Sequence, residues 1–342
     1  MASPDKHINA KWSESELILN ISEIFAESNS DLLVGIGDDA AVVARPEREV
    51  VITTDMAVQD VHFKIEWSSA FQIGRKIAAA NLADIYAMGG KPKYLTVAMA
   101  ATGNEELSWM LDIAKGIAHE AHIVGAQVVG GDLSKSEKIV ISITAIGECE
   151  KPILRSGAQA GDDIFISNLP GWSAAGLIAL KKGLKHKYED YAIDNSGNDS
   201  SNESFNESNN DSVDSLIKFA ISEHQAPSVD YDNGEQLATL ATSLCDVSDS
   251  LIIQAEQMAE ASGVAFEIDA KLFENHPDFA ELSKLAAHLE VSVFDLILSG
   301  GEDHIFLATG KSLRGFRIGK VLAGKGIRLL HVANPQPGWQ HF

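Results

Sequence analysis

Acidic residues that follow glycines or end apolar segments are the dominant pattern in this sequence. The loop Gly35–Asp39 reads Gly-Ile-Gly-Asp-Asp, and a β-branched segment from Val50 then leads into Thr-Thr-Asp at Thr53–Asp55. Glycine permits the tight backbone turns that such loops need. Carboxylates at the ends of apolar strands are costly to bury without a positive partner. The pattern therefore predicts a site for a hard divalent cation.

The segment Phe71–Met88 predicts a helix that is buried on nearly all sides, because it is apolar almost all round. Asn81 and Asp84 lie three residues apart and so share one face of that helix. Asp84 either bonds to a backbone group in the core or faces the same cation site as Asp39 and Asp55.

Another acid, Asp132, follows Gly130-Gly131 at the end of a predicted strand. A single acid of this kind carries little information. Four of them in the first half of the chain predict one shared site, formed by Asp39, Asp55, Asp84 and Asp132.

The composition restricts the class of protein. The 342 residues predict about two domains, and the hydrophobic content of 45% is ordinary for a globular protein. The 27 Lys and Arg residues against 49 Asp and Glu residues give a net charge of −22. That charge argues against nucleic acid as the main partner, since phosphate backbones bind basic surfaces.

Cysteine usage and hydropathy indicate the compartment. Cys149 and Cys245 form no CxxC pair and no disulfide framework, so a reducing, cytoplasmic location is expected. The polar start, Met1–Lys11, is not expected to be a signal peptide. No apolar run approaches the roughly 18 residues of a membrane helix, so no membrane partner is expected.

A domain boundary is expected near Cys149–Gly161, which divides the chain into domains 1–149 and 150–342. Residues 185–215 are crowded with Asn, Ser, Asp and Glu. This low-complexity composition predicts a disordered surface insertion. A helix is predicted over Glu235–Leu244.

Two acidic segments follow in the second half. Asp246–Asp249 (Asp-Val-Ser-Asp) precedes a predicted helix, whose N-cap would be Ser248 or Asp249. Ser299–Asp303 (Ser-Gly-Gly-Glu-Asp) is a second glycine pair followed by acids. Both halves thus combine strands and helices with glycine–acid loops, which predicts an α/β (α+β) fold class.

The chemistry can be narrowed by motif. The sequence contains no GxxxxGK[ST] phosphate loop, no GxGxxG fingerprint after a strand and no G-x-S-x-G elbow. Its many carboxylates instead suit two or more magnesium ions on a polyphosphate. Each Mg²⁺ takes one or two protein carboxylates and completes its shell with water and phosphate oxygens.

An ordered set of motifs, which spans nearly the whole chain, resembles the thiamine-monophosphate kinase family, within the aminoimidazole ribonucleotide synthetase-like superfamily. Each motif is weak by itself, but the set in this order is specific. The motifs are Gly35–Ala40, Thr53–Asp55, His62-Phe63, Asn81–Asp84, Met88-Gly89, Gly130–Asp132, Arg155–Gly157, Asp246–Asp249, Ser299–Asp303 and Gly338–Phe342.

The resemblance implies a reaction in which ATP and thiamine monophosphate give ADP and thiamine diphosphate. It also implies an N-terminal mixed sheet with helices that pairs in a homodimer, followed by a C-terminal α/β domain. By the same resemblance, the magnesium ligands are Asp39, Thr53, Thr54, Asp55, Asp84, Asp132, Asp246 and Asp249. The implied ATP contacts are Gly131, Asp132, Arg155 and Ser248, and the implied thiamine monophosphate contacts are His62, Glu302 and Trp339.

Physical chemistry is consistent with that reaction. The acceptor phosphate oxygen is already anionic at neutral pH, so no residue is assigned as a general base. The difficulty is to bring two polyanions together, which magnesium ions relieve. Arg155 would add a fixed charge on the phosphates, and Trp339 would stack on the thiazolium or pyrimidine ring. The structural alternatives are a domain-linker ion pair for Arg155, a hydrophobic plug for Trp339 and a loop residue without a role for His62.

Two departures from the family pattern stand in the second half. Ser250 replaces the glycine that usually follows Asp-x-Ser-Asp, and Ala226–Asp230 replaces Arg-Pro-x-Pro-Arg, so that both arginines are missing. The intact set of aspartates favours an active kinase. Two alternatives are a superfamily relative that uses another acceptor and a non-catalytic ATP- or thiamine-binding protein.

Overall fold

The structure is a computed structural model of the chain. Two of the candidate site residues, Asp39 and Trp339, lie outside the residues it describes. The described residues are 13–26, 31–34, 36, 41–44, 47–184 and 213–333.

The N-terminal half is built on a four-stranded sheet with the strand order β3-β6-β4-β5, in which only β4 and β5 are parallel. Helices α2 and α3 pack together so closely that a Cβ on Gly74 would lie 2.1 Å from the carbonyl oxygen of Ile113. The elements in chain order are α1 (Glu14–Ile24), β1 (Leu32–Val34), β2 (Val42–Val43), β3 (Glu49–Val58), α2 (Ala70–Ala87), β4 (Lys91–Ala101), α3 (Leu107–Ile123), β5 (Gln127–Lys135) and β6 (Val140–Cys149).

The C-terminal half is built on a six-stranded sheet with the order β12-β9-β11-β7-β10-β8. A single 3-10 turn, Arg155–Gly157, leads into it. The remaining elements are β7 (Asp163–Ile166), α4 (Trp172–Lys181), α5 (Val213–Gln225), α6 (Tyr231–Ala238), β8 (Ser243–Val247), α7 (Leu251–Ser262), β9 (Ala265–Asp269), α8 (Ala270–Phe273), α9 (Phe279–His288), α10 (Val293–Ser299), β10 (Ile305–Gly310), β11 (Phe316–Leu322) and β12 (Gly326–Leu330).

The predicted α/β fold class and the buried helix are confirmed. Helix α2 begins with a capping box between Ser69 and Gln72, and most of its residues are buried. None of the helices in the described part of the chain is long and apolar enough to cross a bilayer.

The expectation that Asp55 and Asp132 end their strands is wrong. β3 continues to Val58 and β5 continues to Lys135, so both acids lie inside strands. Both strands are at the edges of the sheet. Asp132 lies on the uncovered face of the sheet, where a polar side chain stays exposed, whereas Asp55 faces α2, where Asn81 accepts a bond from its amide, so neither strand has to end at its acid.

The structure also corrects the elements predicted between residues 213 and 250. The predicted helix Glu235–Leu244 instead begins at Tyr231, because Asp230 caps it with a 2.9 Å bond from the Asn233 amide, and β8 begins at Ser243. Residues 213–215 of the predicted insertion belong to α5, and the rest of it lies outside the described residues. Ser250 caps α7, rather than Ser248 or Asp249.

Candidate active site

A cleft of about 710 Å³ lies between the two halves of the chain. One wall is formed by β3 and α2, which contribute Thr53 and Asp84. The other wall is formed by β8 and the 3-10 turn, which contribute Asp246 and Arg155. Four of the residues predicted for the site thus line one cavity, although they come from distant parts of the sequence.

The polar face of α2 is turned toward β3. Asp84 Oδ2 accepts a 2.7 Å hydrogen bond from Thr53 Oγ1. Asn81 Oδ1 accepts a 3.0 Å bond from the Asp55 backbone amide, while its Nδ2 donates to the Ile77 carbonyl. Of the two sequence-based interpretations of Asp84, the structure therefore shows it facing the strand that carries Thr53 and Asp55, with a hydroxyl rather than a backbone group as its partner.

Negative charge accumulates at this wall. Burial raises the pKa of Asp84 to about 7, and the neighbouring charges of Asp246 and Asp55 act in the same direction. Burial also raises the pKa of Asp55, with a smaller contribution from Asp246 that is opposed by His304 and His62. At both carboxylates burial outweighs the effect of the nearby histidines, and a bound cation would stabilise their ionised forms.

The opposite wall supplies limited positive charge. Arg155 Nη2 lies 3.7 Å from Asp246 Oδ1, and His304 Nδ1 lies 3.5 Å from Asp246 Oδ2. The His304 nitrogen is buried and makes no hydrogen bond of good geometry. Arg155 also donates from Nη1 to Gln254 and Gln257, at 2.5 Å each.

Among the described residues, no group of three or more His, Cys, Asp or Glu side chains is already assembled around one metal position. Asp84 and Asp246 instead lie on opposite walls of the cleft. This arrangement fits Mg²⁺, which takes one or two carboxylates and fills the rest of its shell with phosphate oxygens and water.

None of the other predicted residues that the structure describes lines this cleft, and three of them lie well away from it in a single chain. Thr54 is exposed on the other face of β3, where it bonds to the Ile143 carbonyl. Gly131 and Asp132 lie on β5, three strands from β3, or about 14 Å at the usual strand spacing. Gly131 also has a packing role, since a Cβ there would lie 2.1 Å from the Val97 carbonyl oxygen.

A second group of predicted residues lies next to the cleft. His62 is half-buried, accepts a 3.0 Å bond from the Val58 amide at Nδ1, and is close enough to influence the pKa of Asp55. The Glu302 amide donates a 2.6 Å bond to the Ser248 carbonyl. The same loop passes so close to Asp249 that a Cβ on Gly301 would lie 2.3 Å from the Asp249 carbonyl oxygen.

Sequence reasoning missed Lys76 and His304. Lys76 Nζ lies 3.0 Å from Glu302 Oε2, and His304 is the neighbour of Asp246 described above. The signal for Lys76 was a basic residue inside an otherwise buried helix. His304 directly follows the glycine–acid loop 299–303 and could have been included with it.

The departures from the family pattern have local structural roles. Ser250 accepts a 3.3 Å bond from the Ile253 amide as the N-cap of α7, and its φ of −174° is extended backbone that needs no glycine. Asp230 is the N-cap of α6. Both substitutions therefore stabilise helix starts.

Comparison with known proteins places this fold in a class. Residues 37–149 match the family described as AIR synthase related protein, N-terminal domain. A solved structure of thiamine-monophosphate kinase from Stenotrophomonas maltophilia K279a superposes with a TM-score of 0.75 at 26% identity, covering 92% of this chain and 95% of that chain. A structure described as AaThiL complexed with AMPPCP and TMP gives a TM-score of 0.73 at 29% identity, covering 96% and 97%.

The relatives found by sequence similarity identify the family more narrowly than the family model does. The thiamine-monophosphate kinase of Mycobacterium tuberculosis is 34% identical over 319 residues, which cover 91% of this chain and 86% of the relative. The chain therefore belongs to the thiamine-monophosphate kinase family, and it is a kinase.

Proposed function

We propose that this protein transfers the γ-phosphoryl group of ATP to the phosphate of thiamine monophosphate, with the assistance of magnesium ions. The observation that carries the proposal is the convergence of Thr53, Asp84 and Asp246 on one cleft that Arg155 also lines. The relative whose structure is described with AMPPCP and TMP supports the choice of donor and acceptor.

The proposed roles follow from the chemistry of the side chains. Asp55, Asp84 and Asp246, with Asp249 and the Thr53 hydroxyl, hold magnesium in the cleft, and Asp39 and Thr54 remain predictions for the same role. Bound magnesium would neutralise the phosphate charges and orient them. Arg155 and Ser248 contact ATP from the wall formed by β8, since a guanidinium is a preferred partner of phosphate oxygens. Gly131 remains a predicted ATP contact.

The acceptor is proposed to bind beside Glu302 and His62. A carboxylate meets the permanent positive charge of the thiazolium ring, and Trp339 is a predicted stacking partner. No general base is assigned, because the attacking phosphate oxygen is anionic at neutral pH and the chemistry depends on positioning and charge neutralisation.

We further propose that two copies pair through the N-terminal sheet and that the chain divides into domains near residue 150. Support comes from the sheet face opposite α2, where Val50, Ile52 and Met56 are 46%, 64% and 56% exposed. In the sheet with the order β3-β6-β4-β5, the strand registers align Met56 with Ser142, Ala98 and Asp132. Asp132 therefore lies on this same face. Asp132 would therefore bind magnesium and contact ATP at the interface between the two copies.

A cytoplasmic location is proposed as well. Cys149 and Cys245 are both buried thiols without a disulfide, as is usual in a reducing compartment.

The decisive experiment combines the purified protein with ATP, magnesium and thiamine monophosphate and measures thiamine diphosphate by chromatography. The expected result is one thiamine diphosphate formed for each ADP released. Parallel reactions contain aminoimidazole ribonucleotide precursors as acceptors or no acceptor. ADP formation with another acceptor, but not with thiamine monophosphate, would identify a superfamily relative instead. Binding of ATP without turnover of any acceptor would identify a non-catalytic protein.

A further inference from the structure

Lys76 is a buried basic side chain that makes two bonds across the boundary between the two halves of the chain. It lies on α2 and is 9% exposed. Its Nζ donates a 2.8 Å hydrogen bond to the His224 carbonyl at the end of α5 and a 3.0 Å bond to Glu302 Oε2. A lysine ammonium is rarely buried without such partners.

The backbone of Glu302 is fixed independently of this contact. Its φ is +62°, a left-handed conformation that is uncommon for a residue with a side chain. The bond from its amide to Ser248 holds it over the turn that carries Asp249. The side chain is still 35% exposed, so the carboxylate can meet a ligand while Lys76 binds one of its oxygens.

The charges near Glu302 favour an ionised carboxylate. Burial raises its pKa, but the charge and hydrogen bond of Lys76, together with His224 and His304, outweigh burial and hold the pKa below the usual range. His224 lies 3.6 Å from Glu302 Oε2. Burial and the Lys76 charge lower the pKa of His224 to about 3, so it is neutral at physiological pH. Lys76 is therefore the cation that directly contacts this carboxylate.

We propose that Lys76 is a positioning residue for the acceptor, which holds the Glu302 carboxylate in the orientation that contacts the cationic ring of thiamine monophosphate. This inference rests on the proposed function, in which Glu302 contacts the acceptor. Helix α2 then carries Asp84 at the phosphate end of the site and Lys76 at the acceptor end. Eight residues of helix separate them, or about 12 Å along the axis.

A double-mutant cycle on acceptor binding tests this role. Calorimetry measures the dissociation constants of thiamine monophosphate and of AMPPCP for the wild type, Lys76→Met, Glu302→Gln and the double variant. We expect each single variant to weaken thiamine monophosphate binding by on the order of tenfold, the usual effect of losing a charged hydrogen bond. Binding of AMPPCP should be little changed. In the double variant, Lys76→Met should add almost nothing to the effect of Glu302→Gln.

Two further variants guard against a general structural effect. Lys91→Met removes an exposed 2.7 Å ion pair to Glu235 that also joins the two halves, and it should leave both dissociation constants unchanged. If Lys76→Met does not fold, Lys76→Gln replaces it in the cycle, because it keeps a donor for the His224 carbonyl but removes the charge.

The possible results separate the inference from the function on which it rests. Wild-type protein that does not bind thiamine monophosphate would overturn both. Weaker binding in Glu302→Gln but not in the Lys76 variants would overturn the positioning role alone. Additive losses in the double variant would also overturn it, because they would mean that Lys76 acts independently of Glu302.

Discussion

At the scale of single residues, the two walls of the cleft differ in how their charges are compensated. Asp246 has Arg155 and His304 within 4 Å. Asp84 has the Thr53 hydroxyl as its hydrogen-bond partner, and its pKa is raised to about 7 by burial and by the acids around it. A position that is unfavourable for an isolated carboxylate and favourable for a bound cation is expected to be functional rather than structural.

We predict that Asp84→Asn and Asp55→Asn each lower kcat by at least about a hundredfold, since magnesium contributes several kcal/mol to such reactions. The fold should be retained, because the amide oxygen introduced by Asp84→Asn could still accept the Thr53 hydroxyl and the change would relieve charge repulsion. Steady-state kinetics and thermal unfolding of the same preparations check both statements. Near-normal turnover of Asp84→Asn at low magnesium would assign Asp84 to structure alone.

Asp303 gives a prediction for pH dependence. It is buried and accepts bonds from the Gly171 and Ser173 amides at the start of α4, at 2.9 and 3.0 Å. Burial nevertheless raises its pKa to about 7. Because the pKa of Asp303 is higher in the folded protein, its carboxyl group loses the proton at a lower pH in the unfolded chain than in the folded one. The contribution of Asp303 to stability is therefore complete below about pH 4 and is lost as the pH rises to about 7.

We therefore expect the free energy of unfolding of the wild type, relative to that of Asp303→Asn, to fall by a few kcal/mol between about pH 4 and pH 7. Urea unfolding of both proteins at several pH values measures this difference, and the subtraction removes the contributions of other titrating groups. A difference independent of pH would show that Asp303 is ionised throughout that range.

At the scale of elements, α4 and α5 form an antiparallel pair. Ser173 Oγ lies 3.2 Å from His224 Nδ1, and a Cβ on Gly176 would lie 1.9 Å from the Ala220 carbonyl oxygen. The chain therefore leaves α4 and enters α5 at the same end of the pair. A short connection can join them without disturbing either helix.

Replacement of residues 185–212 by a linker of about eight Gly and Ser residues should change the free energy of unfolding by at most about 1 kcal/mol, the loop-entropy difference. The reason is that this stretch contains few large apolar residues whose burial could be lost. Activity should change modestly. Loss of solubility or of self-association on deletion would show that the segment packs against the rest of the protein.

At the scale of the whole molecule, the residues that the structure describes cover one face of the N-terminal sheet and leave the other face open. Residues on β3 alternate, so that Thr53 and Asp55 face α2 while Ile52, Thr54 and Met56 are exposed. A sheet with an uncovered apolar face and an unpaired edge strand is suited to association with another copy.

We predict that Ile52→Lys converts a dimer into a monomer, because it places a charge among the exposed apolar side chains that β3 contributes to this open face. Light scattering coupled to size-exclusion chromatography measures the mass. The matched control is Leu240→Lys, since Leu240 is 67% exposed but belongs to the C-terminal half, in the connection between α6 and β8. A wild-type protein that is monomeric, or an Ile52→Lys variant as dimeric as the wild type, would contradict the pairing.

Features that depend on local pattern could be predicted from the amino-acid order alone. The buried helix α2, its polar pair Asn81 and Asp84 and the α/β class are readable from periodicity and spacing, and the ordered motifs are recognised by their resemblance to a known family. Even the two departures at Ser250 and Asp230 are common N-cap residues, although their capping roles became clear only in the structure.

Which of these residues meet could be seen only in the folded chain. Strand register turns Thr53 toward the cleft and Thr54 away from it, and sheet order places Asp132 three strands from Asp55. The contact between Lys76 and Glu302 joins residues 226 positions apart. Such contacts depend on topology and on which faces are buried, because one residue of register shift moves a side chain to the opposite face. The local sequence therefore does not show which distant residues come into contact.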